Sequence, residues 1–134
     1  MDEFAENARK LAAALKERGD GAYVLSVTEE GRPHATYSRV RWQAGCLVAE
    51  VGKQTARSAE ARPLVTLLFP VRSPEDYSLI VDGTAIVELE RRLVVTPTRA
   101  VLHRPGTPSQ PTSTCGADCI PLFPETAAPA PLED

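Results

Sequence analysis

The sequence predicts a mainly β protein, a small antiparallel barrel of six strands with two helices outside the strand run. Six short segments rich in β-branched, aromatic and other apolar residues are separated by short turns that contain glycine or proline. Only two stretches show helical character, one at the amino terminus and one in the middle of the chain. Closure into a barrel removes exposed strand edges, which favours it over an open sheet.

The first predicted element is an amphipathic helix near residues 3–18. Its apolar side chains recur at helical spacing with charged residues between them, and Gly19 follows its last turn. The apolar positions are Phe4, Ala8, Leu11, Ala12 and Leu15. We expect this helix to pack one face on the barrel.

The six predicted strands cover residues 22–28, 34–42, 46–51, 64–69, 77–90 and 92–104. The first two form a hairpin around Gly31. A short second helix over residues 55–61 ends at Pro63. The fourth strand is almost entirely apolar, a pattern typical of a strand buried on both faces. In the fifth strand, Gly83 marks a bulge or a close backbone approach.

Length and composition indicate one domain. The chain has 134 residues and 43% hydrophobic content, enough for one sizeable core. We expect residues 1–123 to form the domain and the proline- and alanine-rich residues 124–134 to be a disordered tail. The sequence shows no signal peptide, no apolar stretch near the roughly 20 residues of a membrane span, and an odd number of cysteines. These features predict a cytoplasmic protein that does not bind membranes.

Charge is distributed unevenly along the chain. The net charge is −3, yet residues 31–62 contain six basic residues against two acidic ones. A local positive region on an acidic protein indicates a small anionic ligand, because nucleic-acid-binding domains are usually broadly basic. The run VGKQTAR, residues 51–57, combines two cations, a hydroxyl and the amides of a helix start, which together suit an anion.

Three segments in this order resemble the pyridoxamine 5'-phosphate oxidase-like FMN-binding split barrels: GRPHATYSRVRW, then GKQTARSAEARPLVTLLF, then YSLIVDGTAIV. The resemblance covers residues 22 to about 104 and implies a six-stranded antiparallel split β-barrel with flanking helices. It also implies a homodimer whose cofactor sites lie at the subunit interface.

The resemblance implies which residues bind the cofactor. Lys53, Gln54 and Thr55 would hold the phosphate of FMN, although many family members carry a lysine at the position of Thr55. The other residues that we expect at the site are Arg39, Val40, Arg41 and Arg57, of which Val40 would line the isoalloxazine ring. Strand alternation predicts that Arg39 and Arg41 share one face.

The function within this family stays open at this stage. The expected cofactor is FMN, with coenzyme F420 or haem as alternatives, because the family includes users of all three. Two classes remain: an oxidoreductase acting on a small molecule, and a non-catalytic cofactor-binding protein. The tryptophan and arginine signature of the oxidase itself has no counterpart after Leu102. Pyridoxamine phosphate oxidation is therefore not expected.

The remaining chemically active residues do not form a recognisable catalytic or metal site in the sequence. His34 and His103 are isolated, and histidines in such positions more often serve structural roles. Cys115 and Cys119 have three residues between them, whereas zinc knuckles and redox pairs usually have two. We predict packed thiols or an inducible disulfide there, no metal site, and no assigned catalytic residue.

Overall fold

The computed structural model describes residues 3–106 and 117–123. The predicted tail over residues 124–134 lies outside the described residues, and so do the proline-containing residues 107–114 and Cys115. The two helices are α1 (Glu3–Arg18) and α2 (Lys53–Ala61). The strands are β1 (Gly21–Val27), β2 (Pro33–Arg39), β3 (Arg41–Gln43), β4 (Cys46–Glu50), β5 (Leu64–Phe69), β6 (Ser78–Glu88), β7 (Arg92–Pro105) and β8 (Ala117–Phe123).

All described strands belong to one antiparallel sheet in the order β2-β1-β5-β6-β7-β4-β3, and β8 pairs with β7. The predicted mainly β class and the split-barrel architecture are confirmed. The sheet is not closed by a ladder between its first and last strands, β2 and β3. Instead, the Ser38 hydroxyl of β2 donates to the carbonyl of Glu50 at the end of β4 (3.2 Å).

The described strands number eight, two more than the sequence predicted. The segment 34–42 is divided at Val40, whose amide donates to the carbonyl of Asp20 (2.6 Å), so that β2 pairs with β1 while β3 pairs with β4. The additional strand β8 contains Pro121, which cannot donate to a ladder and is tolerated because β8 lies at an edge. Because proline is disfavoured in strands, the sequence did not predict β8.

The core lies between the inner face of the sheet and α1. Inward positions alternate along the central strands, as in β6, where Leu79 and Val81 are fully buried. The expectation that β5 is buried on both faces was wrong, because its Leu64 is 74% exposed and only alternate residues are buried. An apolar residue on the outer face of an antiparallel sheet looks the same in sequence as one in a doubly covered strand.

Gly83 lies where the sequence predicted a bulge. The register of β6 against β7 shifts between Asp82 and Gly83. A Cβ atom at residue 83 would come within 2.5 Å of a Val95 methyl and 2.6 Å of the Thr96 carbonyl oxygen. Both predicted reasons for the glycine, a bulge and a close backbone approach, are therefore confirmed.

Both predicted helices are present, with one change at a boundary. Helix α1 matches the prediction and is followed by Gly19 in a left-handed conformation (φ 83°). Helix α2 begins two residues earlier than predicted, at Lys53 after Gly52. Residues 53–55 are therefore its first turn. Neither helix in the described part of the chain is long and apolar enough to cross a membrane.

Candidate functional site

The amino terminus of α2 presents unsatisfied backbone donors. Gly52 is its N-cap, with extended backbone (φ −76°, ψ 172°) and no side chain to cap the helix. The first helical hydrogen bond runs from the Ala56 amide to the Gly52 carbonyl (3.0 Å). The amides of Lys53, Gln54 and Thr55 therefore have no acceptor among the described residues. Such a helix start attracts anions through its free amides and the helix dipole.

Strand β2 crosses close to this helix start and adds two hydroxyls that sequence reasoning missed. The hydroxyls of Thr36 and Thr55 are 3.3 Å apart, and Ser38 bonds the carbonyl of Glu50, two residues before the N-cap. Thr36 and Ser38 alternate with Tyr37 and share one strand face. That alternation was visible in the sequence, but nothing there indicated that this face meets α2.

The predicted phosphate-binding residues of α2 differ in exposure. Lys53 is exposed, and no described residue hydrogen bonds or pairs with its ammonium group. The Gln54 amide donates to the Ser58 hydroxyl (3.1 Å), and Arg57 lies exposed one turn further along. Thr55 is 1% exposed, with its hydroxyl directed at Thr36. A lysine at position 55 would have to leave this buried position to reach solvent.

The two predicted arginines belong to different strands and bind different carboxylates. Arg39, at the end of β2, forms an ion pair with Asp20 (2.9 Å). Arg41, at the start of β3, makes a bidentate pair with Glu50 (3.0 and 3.2 Å). This hydrogen bond to Arg41 lowers the pKa of Glu50 below its ordinary value. A ligand anion would therefore compete with a protein carboxylate for either arginine.

Val40 lies between these arginines and is buried, 4% exposed. It lines a groove of about 640 Å³ between the carboxyl-terminal half of α1 and β3. Leu15, Trp42 and Leu47 line the same groove, which gives it an apolar wall, and Lys16 and Arg41 line its polar part. This groove has the size and the mixed lining of small-molecule sites.

Arg91 is a further cation near the helix start that the sequence did not indicate. Its Nε donates to the carbonyl of Val51 (3.0 Å), and its own carbonyl accepts from the Val51 amide (3.1 Å). Glu90 and Arg91 both have left-handed backbone (φ 61° and 57°). Two such residues in succession are uncommon outside glycine, asparagine and aspartate, so no pattern rule predicts this turn.

The isolated histidines and cysteines form no group of three metal-binding side chains within the described residues. His103 and Cys119 are opposite each other on β7 and β8, with Nδ1 and Sγ 3.4 Å apart. His34 lies half-buried on β2. The predicted pairing of Cys115 with Cys119 stays a prediction, because Cys115 lies outside the described residues.

Curated relatives of the chain occur in mycobacteria. An uncharacterized protein of Mycobacterium bovis is 40% identical in an alignment of 130 positions that covers 84% of this chain and 91% of the relative. An uncharacterized protein of Mycobacterium tuberculosis matches to the same extent. The chain belongs to the family of these mycobacterial proteins. No model of a known protein family matches it.

Solved structures with this fold include a member of the pyridoxinephosphate oxidase family, an F420 reductase and a heme binding protein. A Clostridium acetobutylicum protein related to general stress protein 26, of the pyridoxinephosphate oxidase family, has a TM-score of 0.56 at 12% identity and covers 92% of this chain and 100% of its own. An F420 reductase has a TM-score of 0.52 at 21% identity and covers 65% of this chain and 93% of its own. A heme binding protein from Mycobacterium smegmatis has a TM-score of 0.57 at 15% identity and covers 91% of this chain and 59% of its own. These similarities establish the split-barrel fold that such proteins share.

Proposed function

We propose that the protein binds FMN and uses the amino terminus of α2 to hold its phosphate. The observation that carries this proposal is the helix start without a side-chain cap, whose amides and neighbouring Lys53 have no partner among the residues that the structure describes. A phosphate dianion requires several donors at once, and a helix amino terminus with a nearby cation provides them. The chemistry of this donor set fits the cofactor that the sequence resemblance implies.

Each predicted residue has a distinct role in this proposal. Lys53 and the amides of residues 53–55 bind the phosphate, and Arg57 lies one turn away as a second cation. Arg39 and Arg41 exchange their carboxylate partners for the cofactor or act alongside them. Val40 and its groove accommodate apolar parts of the ligand. Bound flavin would supply hydride transfer, while the protein supplies binding and orientation.

We infer that the activity of the protein is the oxidation or reduction of a small molecule by the bound flavin. Two alternatives have support in the fold similarities: use of coenzyme F420, because an F420 reductase shares the fold, and non-catalytic binding of flavin or haem, because a heme binding protein shares it. The cytoplasmic location remains a prediction from the sequence.

We also propose a homodimer with the cofactor sites at the subunit interface. Support comes from the outer face of the sheet, where three large apolar side chains are exposed to solvent: Tyr23 at 41%, Leu64 at 74% and Ile86 at 63%. Large apolar patches on an otherwise polar surface often mark protein interfaces. A dimeric mass by light scattering at micromolar concentration is the expected result, and a monomer with FMN present would contradict the dimer.

The cofactor proposal is tested by the visible spectrum and by binding titrations. The purified protein should show, or acquire with added FMN, a flavin spectrum, whereas deazaflavin and haem would give different spectra. Lys53→Ala should weaken FMN binding by about tenfold to a hundredfold, because one charge-assisted hydrogen bond is lost. Arg39→Ala should weaken it by a similar factor. Lys10→Ala, which removes an exposed lysine of α1, is the matched control and should leave the affinity unchanged.

Riboflavin separates the phosphate contact from general effects on the fold. It lacks the phosphate, so its affinity should not respond to Lys53→Ala. If the wild type binds FMN and both substitutions leave that affinity unchanged, the phosphate does not bind at α2. If the wild type binds neither flavin nor deazaflavin nor haem, the cofactor proposal is wrong, but the assignment of the fold is unaffected.

A further inference from the structure

A second cleft, of about 630 Å³, lies at the end of α1 beside the segment that joins β5 to β6. It is separate from the start of α2, and none of the residues 53–57 lines it. Its polar lining consists of Glu17, Arg18, Asp20, Tyr37, Arg72 and Asp76. Its volume lies within the roughly 300–1,000 Å³ of small-molecule sites.

One residue that lines this cleft is an arginine with a largely buried side chain. The Arg18 side chain is 9% exposed, and its guanidinium donates to the carbonyls of Ala14 (2.7 Å) and Tyr77 (3.0 Å). These bonds connect the last turn of α1 to the residue before β6. A guanidinium held in this way fixes the relative position of the two elements that form the cleft walls.

Gly21 determines the position of one wall. A Cβ atom at residue 21 would overlap the Tyr37 hydroxyl, so the Tyr37 ring lies directly over the glycine backbone. The ring also makes an edge contact with Tyr23, with centroids 5.0 Å apart. Tyr37 nevertheless remains 63% exposed. Its position is therefore constrained while much of its surface faces solvent.

Three polar groups of the cleft have no partner in the part of the chain that the structure describes. No described residue hydrogen bonds or pairs with the Tyr37 hydroxyl, the Arg72 guanidinium or the Asp76 carboxylate. The other charges behave differently, because Asp20 pairs with Arg39 and Glu17 pairs with Arg18. Within the described residues, the cleft thus presents one cation and one anion that have no partner and do not bind each other.

We propose that this cleft binds a small zwitterion, an amine-carboxylate of the amino-acid class with an aromatic or apolar body. The Arg72 guanidinium binds the carboxylate, for which its planar donors are suited. The Asp76 carboxylate binds the ammonium group. The exposed Tyr37 ring contacts the body of the ligand and its hydroxyl adds a hydrogen bond. This site does not depend on the proposed cofactor.

The test compares a zwitterion with two analogues that each lack one of its charges, using the 134-residue chain without added flavin. L-phenylalanine carries both charges, 2-phenylethylamine lacks the carboxylate, and 3-phenylpropionate lacks the ammonium. Affinities are measured by chemical-shift titration of nitrogen-15-labelled protein. L-phenylalanine should bind about tenfold or more tightly than either analogue, because each analogue leaves one charged partner unused.

Two variants test whether Arg72 binds the carboxylate of the ligand and Asp76 binds its ammonium group. Arg72→Gln should reduce L-phenylalanine binding to about the level of 2-phenylethylamine while leaving 2-phenylethylamine binding unchanged. Asp76→Asn should reduce L-phenylalanine binding to about the level of 3-phenylpropionate while leaving 3-phenylpropionate binding unchanged. Both residues are exposed, so these variants are expected to fold. Lys10→Gln and Glu6→Gln change exposed charges of α1 outside the cleft and should alter none of the affinities.

The proposal is overturned by any of three results. One is that none of the probes binds the wild type at millimolar concentration. Another is that the analogues bind as tightly as L-phenylalanine. The third is that Arg72→Gln and Asp76→Asn both keep the wild-type preference for the zwitterion. FMN binding can succeed or fail without affecting these outcomes, so the two proposals are tested separately.

Discussion

The central strands and the edge where β2 meets α2 use their residues in opposite ways. In β6, alternate side chains such as Leu79 and Val81 are removed from water completely. At the edge, Arg39 and Arg41 stay exposed and each is held by a nearby carboxylate, while Lys53 has no partner among the described residues. The comparison indicates that stability resides in the centre, whereas the charged pairs of the edge lie at the surface and contribute little to folding.

The largest predicted effect tests the central strands. Leu79→Ala should lower the free energy of unfolding by about 2–5 kcal/mol, because it removes buried methyl groups and leaves a cavity. Leu89→Ala is the matched control, since Leu89 is 90% exposed and its loss should change stability by less than about 0.5 kcal/mol. Denaturant unfolding measures both. Equal effects would mean that burial does not determine the cost of removing a leucine side chain.

A second prediction compares a glycine of each region. Gly83→Ala should destabilise the fold by about 1–3 kcal/mol, because the added methyl group meets Val95 and the Thr96 carbonyl. Gly52→Ala meets no atom within 4 Å and should cost only about 0.5 kcal/mol, through a less favourable N-cap. Thermal unfolding of the two variants decides this. If Gly52→Ala destabilised the fold more than Gly83→Ala, the backbone would be more tightly constrained at the start of α2 than in β6.

The smallest predicted effect concerns the Arg41–Glu50 pair of the edge. The pKa of Glu50 is lowered in the folded state, so the pair stabilises the fold above the unfolded-state value of 4.5. This contribution is lost as the pH falls from 4.5 through the lower folded-state pKa. The difference in free energy of unfolding between wild type and Glu50→Gln should therefore shrink below pH 4.5.

The Arg41→Gln background provides the control for this pH dependence. Without the guanidinium, the part of the Glu50→Gln difference that changes with pH should become smaller, and the remainder comes from Arg92 and the backbone hydrogen bond at Glu50. Both side chains are substantially exposed, so the effect is small. A difference that stays constant from pH 7 to pH 3 would show that the pair does not stabilise the folded state.

Much of the candidate site could be predicted because its signals are local. The run of residues 51–57 showed a helix start with cations and a hydroxyl, and α2 begins there. The sequence did not reveal that the Thr55 hydroxyl is buried against Thr36, since residues 36 and 55 meet only through the packing of β2 on α2. Arg91 was missed for a related reason, because its position depends on two left-handed residues that no glycine marks.

By itself, the sequence determined the fold class, both helices and the bulge at Gly83. Those features follow from hydrophobic periodicity and from glycine and proline, which act within a few residues. Only the tertiary structure decided which charges are paired: Arg39 meets Asp20 and Arg41 meets Glu50, while Arg72 and Asp76 line one cleft and have no partner among the described residues. Coulomb and hydrogen-bond energies depend on distances between side chains that folding alone brings together.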